Sequence, residues 1–192
     1  MDFAFLASRT GETAALAAAV SWAAAVVLFR KSGKAFSPLI LNLFKNAVAL
    51  ALLLLTLALS GEPLVPRWGA RDWLLAAASG ILGIAVGDTL FLASLNRIGA
   101  SLWSIVDCVY GPLVIAFSLV LLGEPLTGAY AVGGTLILAG VIMVSLGPAE
   151  HRPDRTRLFS GIGYGIAAVT AMALAAVLAK PVVGHSDLIT CT

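Results

Sequence analysis

Apolar runs of roughly twenty residues, separated by short breaks rich in Gly, Pro and charge, dominate the pattern along the chain. Six such runs cover approximately residues 13–29, 38–60, 73–95, 100–122, 127–146 and 159–179. A helix needs about 20 mainly apolar residues to cross a hydrocarbon layer about 30 Å thick, where its backbone must satisfy its own hydrogen bonds. The pattern therefore predicts an all-α polytopic membrane protein with about six transmembrane helices. The breaks RKSGKAFS, GEPLVPRWGARD, NRIG, GEPL and GPAEHRPDRTR are too short to hold a water-soluble domain. Near the N-terminus, acidic Asp2 and Glu12 interrupt what would be a signal-peptide n-region, and the first apolar run ends in Arg30 and Lys31 without a small-residue cleavage site. It reads as a retained first helix.

Composition agrees with the pattern. Of 192 residues, 60% are hydrophobic and 11% charged, and the mean hydropathy is +1.00, outside the usual make-up of a soluble domain. Membrane lipid is thus an expected neighbour, and the chain an integral multi-pass protein, expected in the plasma membrane. The net charge is +2, with the basic residues in short clusters between apolar runs. Without a basic stripe interleaved with aromatics, nucleic acid is not an expected partner. Lys and Arg number seven in the loops after spans one, three and five (Arg30, Lys31, Lys34, Arg97, Arg152, Arg155, Arg157) and four on the other side (Arg9, Arg67, Arg71, Lys180). The positive-inside rule then puts those three loops in the cytoplasm and the N-terminus outside.

Three ionisable residues fall well inside predicted spans: Lys45 in the second, Asp88 in the third and Asp107 in the fourth. Each lies roughly seven residues from the helix end facing the RKSGK and NRIG loops, about 10 Å at 1.5 Å per residue, so all three share one depth. Ionised groups in hydrocarbon cost at least about 2.5–3.5 kcal/mol each, which predicts that they face one another or a wet cavity. One lysine neutralises one carboxylate. The other is free to carry a proton or meet a polar substrate, and Asp107 is the favoured group. Asn42 and Asn46 flank Lys45, and Ser104 and Tyr110 flank Asp107, on the expected helix faces. Pro112 should leave the Cys108 carbonyl without its helical donor and break the fourth helix there. A purely structural ion pair, or a Lys45 that snorkels to the interface, is the competing reading.

Other features have simpler explanations. Gly83 with Gly87, and Gly161 with Gly165, form small-xxx-small pairs suited to helix packing. Glu124 sits where the fourth span meets solvent and suits turn chemistry. Trp22 and Trp103 line a pathway or fill core space, and Trp68 and Trp73 suit an interfacial aromatic belt. His151 and His185 read as solvated loop residues, and Cys108 and Cys191 have neither metal-ligand spacing nor a reason to pair. No HExxH, phosphate-binding Gly loop, GxSxG or Cys/His cluster is present, so neither an enzyme, a cofactor nor a metal site is expected.

Sliding the sequence by 149 residues aligns AAVS at 18–21 with AAVT at 167–170, Lys31 with Lys180, and SPLI at 37–40 with SDLI at 186–189, without a gap. Five helices then make one unit, and the sixth opens a second unit that the chain does not complete. An odd number of spans inverts the second copy, as in many secondary transporters.

The stretch from Gly80 to Val144 resembles the later part of an EamA-type repeat of the drug/metabolite transporter superfamily. It carries Gly80 and Gly83 in the third helix, a short turn into a small-residue fourth helix with Pro112, the pair Gly123–Glu124, and a fifth helix with Gly134, Gly140 and Val141. Upstream, Trp22, Lys31, Pro38 and Lys45 resemble the family's tryptophan, lysine, proline and intramembrane basic residue. That basic position is often arginine in the family, and lysine offers a point charge without bidentate geometry. The resemblance implies a ten-helix inverted-repeat permease: residues 1–12 a tail, 13–146 the first repeat, 147–158 a loop and 159–192 the start of the second. It implies alternating access, proton-coupled or exchange-driven, for small metabolites, amino acids or drugs, with Trp22, Asn42, Lys45, Asn46, Asp88, Ser104, Asp107 and Tyr110 along the pathway, Pro112 as the helix break and Glu124 as a family motif residue. A homo-oligomer would be one way to complete the helical body. The other readings are a non-transporting truncated fragment or membrane scaffold, and a membrane enzyme acting on lipid-linked substrates.

Overall fold

A computed structural model describes residues 10–61, 68–125, 128–145 and 154–184. These residues are helical almost throughout: α1 (Thr10–Ser32), α2 (Pro38–Ser60), α3 (Ala70–Gly80), α4 (Asp88–Asp107), α5 (Tyr110–Phe117), α6 (Gly128–Ser145) and α7 (Arg155–Val183). Two π-helical segments interrupt the α geometry, Ile81–Gly87 between α3 and α4, and Ser118–Leu122 after α5. Among the described residues four helices are long and apolar enough to cross a membrane: Thr13–Ser32, Pro38–Ser60, Ala70–Asp107 and Arg155–Val183.

Local sequence sets the ends. Ser37 caps α2 by accepting from the Ile40 N–H at 3.4 Å, Pro38 occupies a first-turn position where its missing N–H costs nothing, and Gly61 closes the helix at φ 71° with its N–H on the Leu57 carbonyl. Asp154 caps α7 through the Arg155 N–H at 3.0 Å.

The third and fourth spans form one helical stretch that turns back on itself. Gly99 has φ 81° and ψ 173°, a conformation that an L side chain adopts at a cost. As a result the Phe91 and Trp103 ring centroids are only 4.7 Å apart, whereas twelve residues of straight helix would separate them by about 18 Å. The NRIG break expected between the third and fourth spans is thus a single-glycine reversal. The fourth span, expected over 100–122 with a break at the Cys108 carbonyl upstream of Pro112, is broken at Cys108–Val109 and resumes as α5.

Helix α7 zips onto this folded-back pair. A Cβ added at Gly161 would stand 2.3 Å from the Ile98 side chain, one at Gly165 would stand 2.9 Å from both Ser94 and Val106, one at Gly87 would stand 2.8 Å from Met172, and one at Gly83 would stand 3.0 Å from Ala175. Both small-residue pairs therefore serve close approach. Two hydroxyls bridge the same seam, Ser94 to the Gly161 carbonyl at 2.7 Å and Ser79 to the Ala175 carbonyl at 2.9 Å. Numbers rise along α7 as they fall along the third span, so these two run antiparallel. Helix α1 instead runs parallel to the third span, because Trp22 packs on Phe91 and Arg30 donates to the Asn96 carbonyl further on. The two helices that the 149-residue offset aligns, α1 and α7, thus point in opposite directions.

The buried core follows from this seam: Phe91, Leu92, Ser94, Leu95, Trp103, Val169 and Val177 are fully enclosed. Large apolar side chains such as Leu16, Leu43, Phe44, Leu59 and Leu136 are exposed. On a soluble protein so much open apolar surface would drive association, but in a bilayer it faces acyl chains.

Candidate functional site

The second helix brings Lys45 against the start of α4, where its ammonium pairs with the Asp88 carboxylate. Asp88 holds this position because the π-helical segment ends on it, its N–H reaching five residues back to the Gly83 carbonyl. Such wide turns disturb the regular ladder, and they are frequent at functional sites. Here α2 supplies the compensation. Asn42, 4% exposed, donates to the Ile84 carbonyl at 2.9 Å and to the Thr89 hydroxyl at 3.0 Å. Thr89 passes its own hydrogen to the Ala85 carbonyl at 2.7 Å, and Asn46 donates to the Asn42 side-chain oxygen at 2.9 Å. The chain Asn46, Asn42, Thr89 fixes the π-helical segment and with it the height of Asp88.

Beside the ion pair lies a cavity of about 360 Å³, lined by Trp22, Gly83, Asp88, Asp107, Tyr110 and Met172. Asp107 is the last residue of α4, at the break opened upstream of Pro112; the next helix starts at Tyr110, and the Leu113 N–H returns to Val109. Proline has no N–H to offer the Cys108 carbonyl, which accounts for a break at this point. Trp22 shares the cavity wall with Asp107. The indole is held from behind by an aromatic series, with Phe91 5.6 Å from Trp22, and Phe29 edge-on to Phe91 at 6.3 Å. Asp88 is neutralised by Lys45, whereas Asp107 has no ion-pair partner among the described residues. The cavity therefore holds two carboxyl groups, one compensated and one not.

The structure brings together Lys45, Asp88, Asp107, Tyr110 and Trp22, and sorts the remaining expected residues differently. Asn42 and Asn46 sit behind the ion pair as positioning groups, not in the cavity lining. Ser104 turns away: its hydroxyl bonds the Ala100 and Ser101 carbonyls of its own helix, and it lines a separate recess with Cys108, Leu136, Ile137 and Gly140. Three residues along a helix leave about 60° between side chains, enough here to turn Ser104 toward α6 while Asp107 faces α1. Trp103 is core, 1% exposed. Glu124 pairs with Lys180 at 2.6 Å, tying the end of the fourth span to the last turn of α7. The two form one side of a further recess with Val114, Ser118 and Pro125.

Thr89 and Met172 escaped the sequence reading. Thr89 directly follows Asp88, and a hydroxyl beside an intramembrane charge was the available signal; Met172 carries none, because only the packing of α7 delivers it to the cavity. His151, His185 and Cys191 lie outside the described residues, and among the described residues no cluster of His, Cys, Asp and Glu is suited to a metal.

No curated protein and no solved structure matches the chain. The model of the EamA-like transporter family matches residues 9–146, well over half of the 192 residues. The match takes in Trp22, Lys45, Asp88, Asp107 and Pro112 in one continuous span, and with it the chain belongs to the EamA-like transporter family, as an integral multi-pass membrane protein of transporter type.

Proposed function

We propose that the chain moves small metabolites, amino acids or drugs across the membrane by alternating access, with solute movement coupled to a proton carried by Asp107. The observation that supports this reading is the cavity itself: one carboxyl group stands uncompensated beside an ion pair that has already used the lysine. Asp88 and Lys45 act as the fixed element, since each neutralises the other and Asn42 braces the backbone below them. Asp107 is the variable element. It sits at a helix break, where the backbone can bend without losing a further hydrogen bond, and such breaks recur where transporter helices line a cavity. The opposed directions of α1 and α7 suit the inverted arrangement in which one unit rocks against another.

The test uses the full chain in liposomes loaded with a fluorescent pH indicator, with amino acids and organic amines added outside one at a time. The expected result is a solute-triggered change in lumenal pH with the native chain, and none with Asp107→Asn at equal membrane insertion. Equal signals from both proteins would reject the proton role of Asp107. Absence of any signal and of any tracer flux from the native chain would reject transport.

A further inference from the structure

The charge and lining of the cavity narrow the class of ligand, an inference that rests on the transport reading for its biological meaning but not for its measurement. Its wall joins an uncompensated carboxyl group, Asp107, to two aromatic side chains, Trp22 and Tyr110, and to the thioether of Met172. Lys45 is committed to Asp88, so no free ammonium or guanidinium is among the cavity's lining residues. An anionic ligand would have to approach Asp107 unaided, or take Lys45 from Asp88 and leave that carboxylate unpaired. Away from bulk water either alternative is costly, because charge interactions strengthen as the dielectric falls. A cation meets the opposite conditions: Asp107 supplies the counter-charge, and the π faces of Trp22 and Tyr110 attract positive charge. Sulfur adds a soft, polarisable contact that adapts to ligand shape.

Size and donor set separate organic from inorganic cations. About 360 Å³ far exceeds what a bare metal ion fills, and among the described residues no metal-type cluster of acids, His and Cys exists. A single uncompensated carboxyl group balances a single positive charge. We propose that this cavity binds a monovalent organic cation, an amine or quaternary ammonium with an apolar body, with its charge against Asp107 and its body between Trp22, Tyr110 and Met172.

Three probes of nearly one shape and different charge test this directly: 2-phenylethylammonium, 2-phenylethanol and 3-phenylpropionate. Equilibrium binding is measured on the purified full chain in detergent, by calorimetry and by tryptophan fluorescence. The ammonium is expected to bind about tenfold or more tighter than the alcohol, consistent with one desolvated charge contact plus a cation–π contribution, and the carboxylate weakest of the three. Asp107→Asn should bring the ammonium-to-alcohol ratio toward one. Trp22→Leu provides a variant that leaves the acid in place, and it should weaken the ammonium about three- to tenfold more than the alcohol. Carboxylate binding as tight as ammonium binding would overturn the proposal. So would a ratio unchanged in Asp107→Asn, or equal losses for all three probes in Trp22→Leu. No gradient is involved, so the two readings fail separately: ammonium selectivity without flux rejects transport alone, and flux without ammonium selectivity rejects this ligand class alone.

Discussion

The seam between α7 and the folded-back third and fourth spans is built from small residues, and the layer around Lys45 and Asp107 is built from polar ones; the two solve different problems. Along the seam, Gly83, Gly87, Gly161 and Gly165 let backbones approach until added Cβ atoms would overlap neighbouring atoms. Lipid tails are as apolar as leucine, so helices there gain little from burying apolar surface and much from close contact. The polar layer instead keeps space open. Its ion pair, amide chain and cavity hold charged groups away from acyl chains while leaving Asp107 with an unfilled side. One region gives rigidity and the other gives room. The proposed alternating access would use both, because rocking requires bodies that hold their shape and a site between them that changes.

Four substitutions would break or sharpen that contrast. The largest loss is expected for Lys45→Met, which leaves Asp88 charged and unpaired beside the bilayer. Breaking such a pair in a fully buried setting costs about 3–5 kcal/mol, and partial hydration from the cavity should bring this case to the lower end. Thermal unfolding in detergent measures it, and adding Asp88→Asn to Lys45→Met should recover most of the loss. Next comes Gly165→Leu in the seam, where even the first added carbon meets Ser94 and Val106 at 2.9 Å. Overpacking of this kind costs about 1–3 kcal/mol and should broaden the gel-filtration profile.

Asn42→Leu should follow, at about 1–3 kcal/mol, because the Ile84 carbonyl and the Thr89 hydroxyl lose their donor in a nearly dry place. It should also raise amide exchange in the π-helical segment above that of the rest of the third span, which a loss confined to packing would not do. Smallest is Glu124→Gln. Its ion pair with Lys180 joins half-exposed side chains, and pairs of that type contribute about 0–1 kcal/mol, so the melting temperature should barely move. A large drop there would mean that the inter-helix tie matters more than its exposure suggests.

How much of this was legible beforehand differs between particular residues. Pro38, Ser37 and Gly61 define α2 by chemistry local to each end, so the expected span 38–60 and the observed helix Pro38–Ser60 coincide. Gly99 was legible as a break in NRIG, though not as a reversal within one helical stretch, because periodicity reports polarity and not a backbone angle. The π-helical segment Ile81–Gly87 left no trace in the apolar pattern; it follows from what Asn42 and Asp88 do across two helices. Ser104 shows the converse. Its spacing from Asp107 satisfied the helical rule, yet the neighbour it meets is α6 and not the cavity, and spacing within one helix carries no information on which helix stands opposite.

The sequence by itself determined an all-helical membrane chain and which charged residues fall within its apolar runs, because each depends on length, hydropathy and counting along a helix of fixed rise. Only the tertiary structure decided that Lys45 pairs with Asp88 and not with Asp107, that Trp22 stands beside the remaining carboxyl group, and that Met172 lines the cavity. Those are contacts between helices far apart in the chain. They depend on how closely α1, α2 and α7 approach the third and fourth spans, which is set by atoms meeting in three dimensions and has no periodicity for a linear pattern to record.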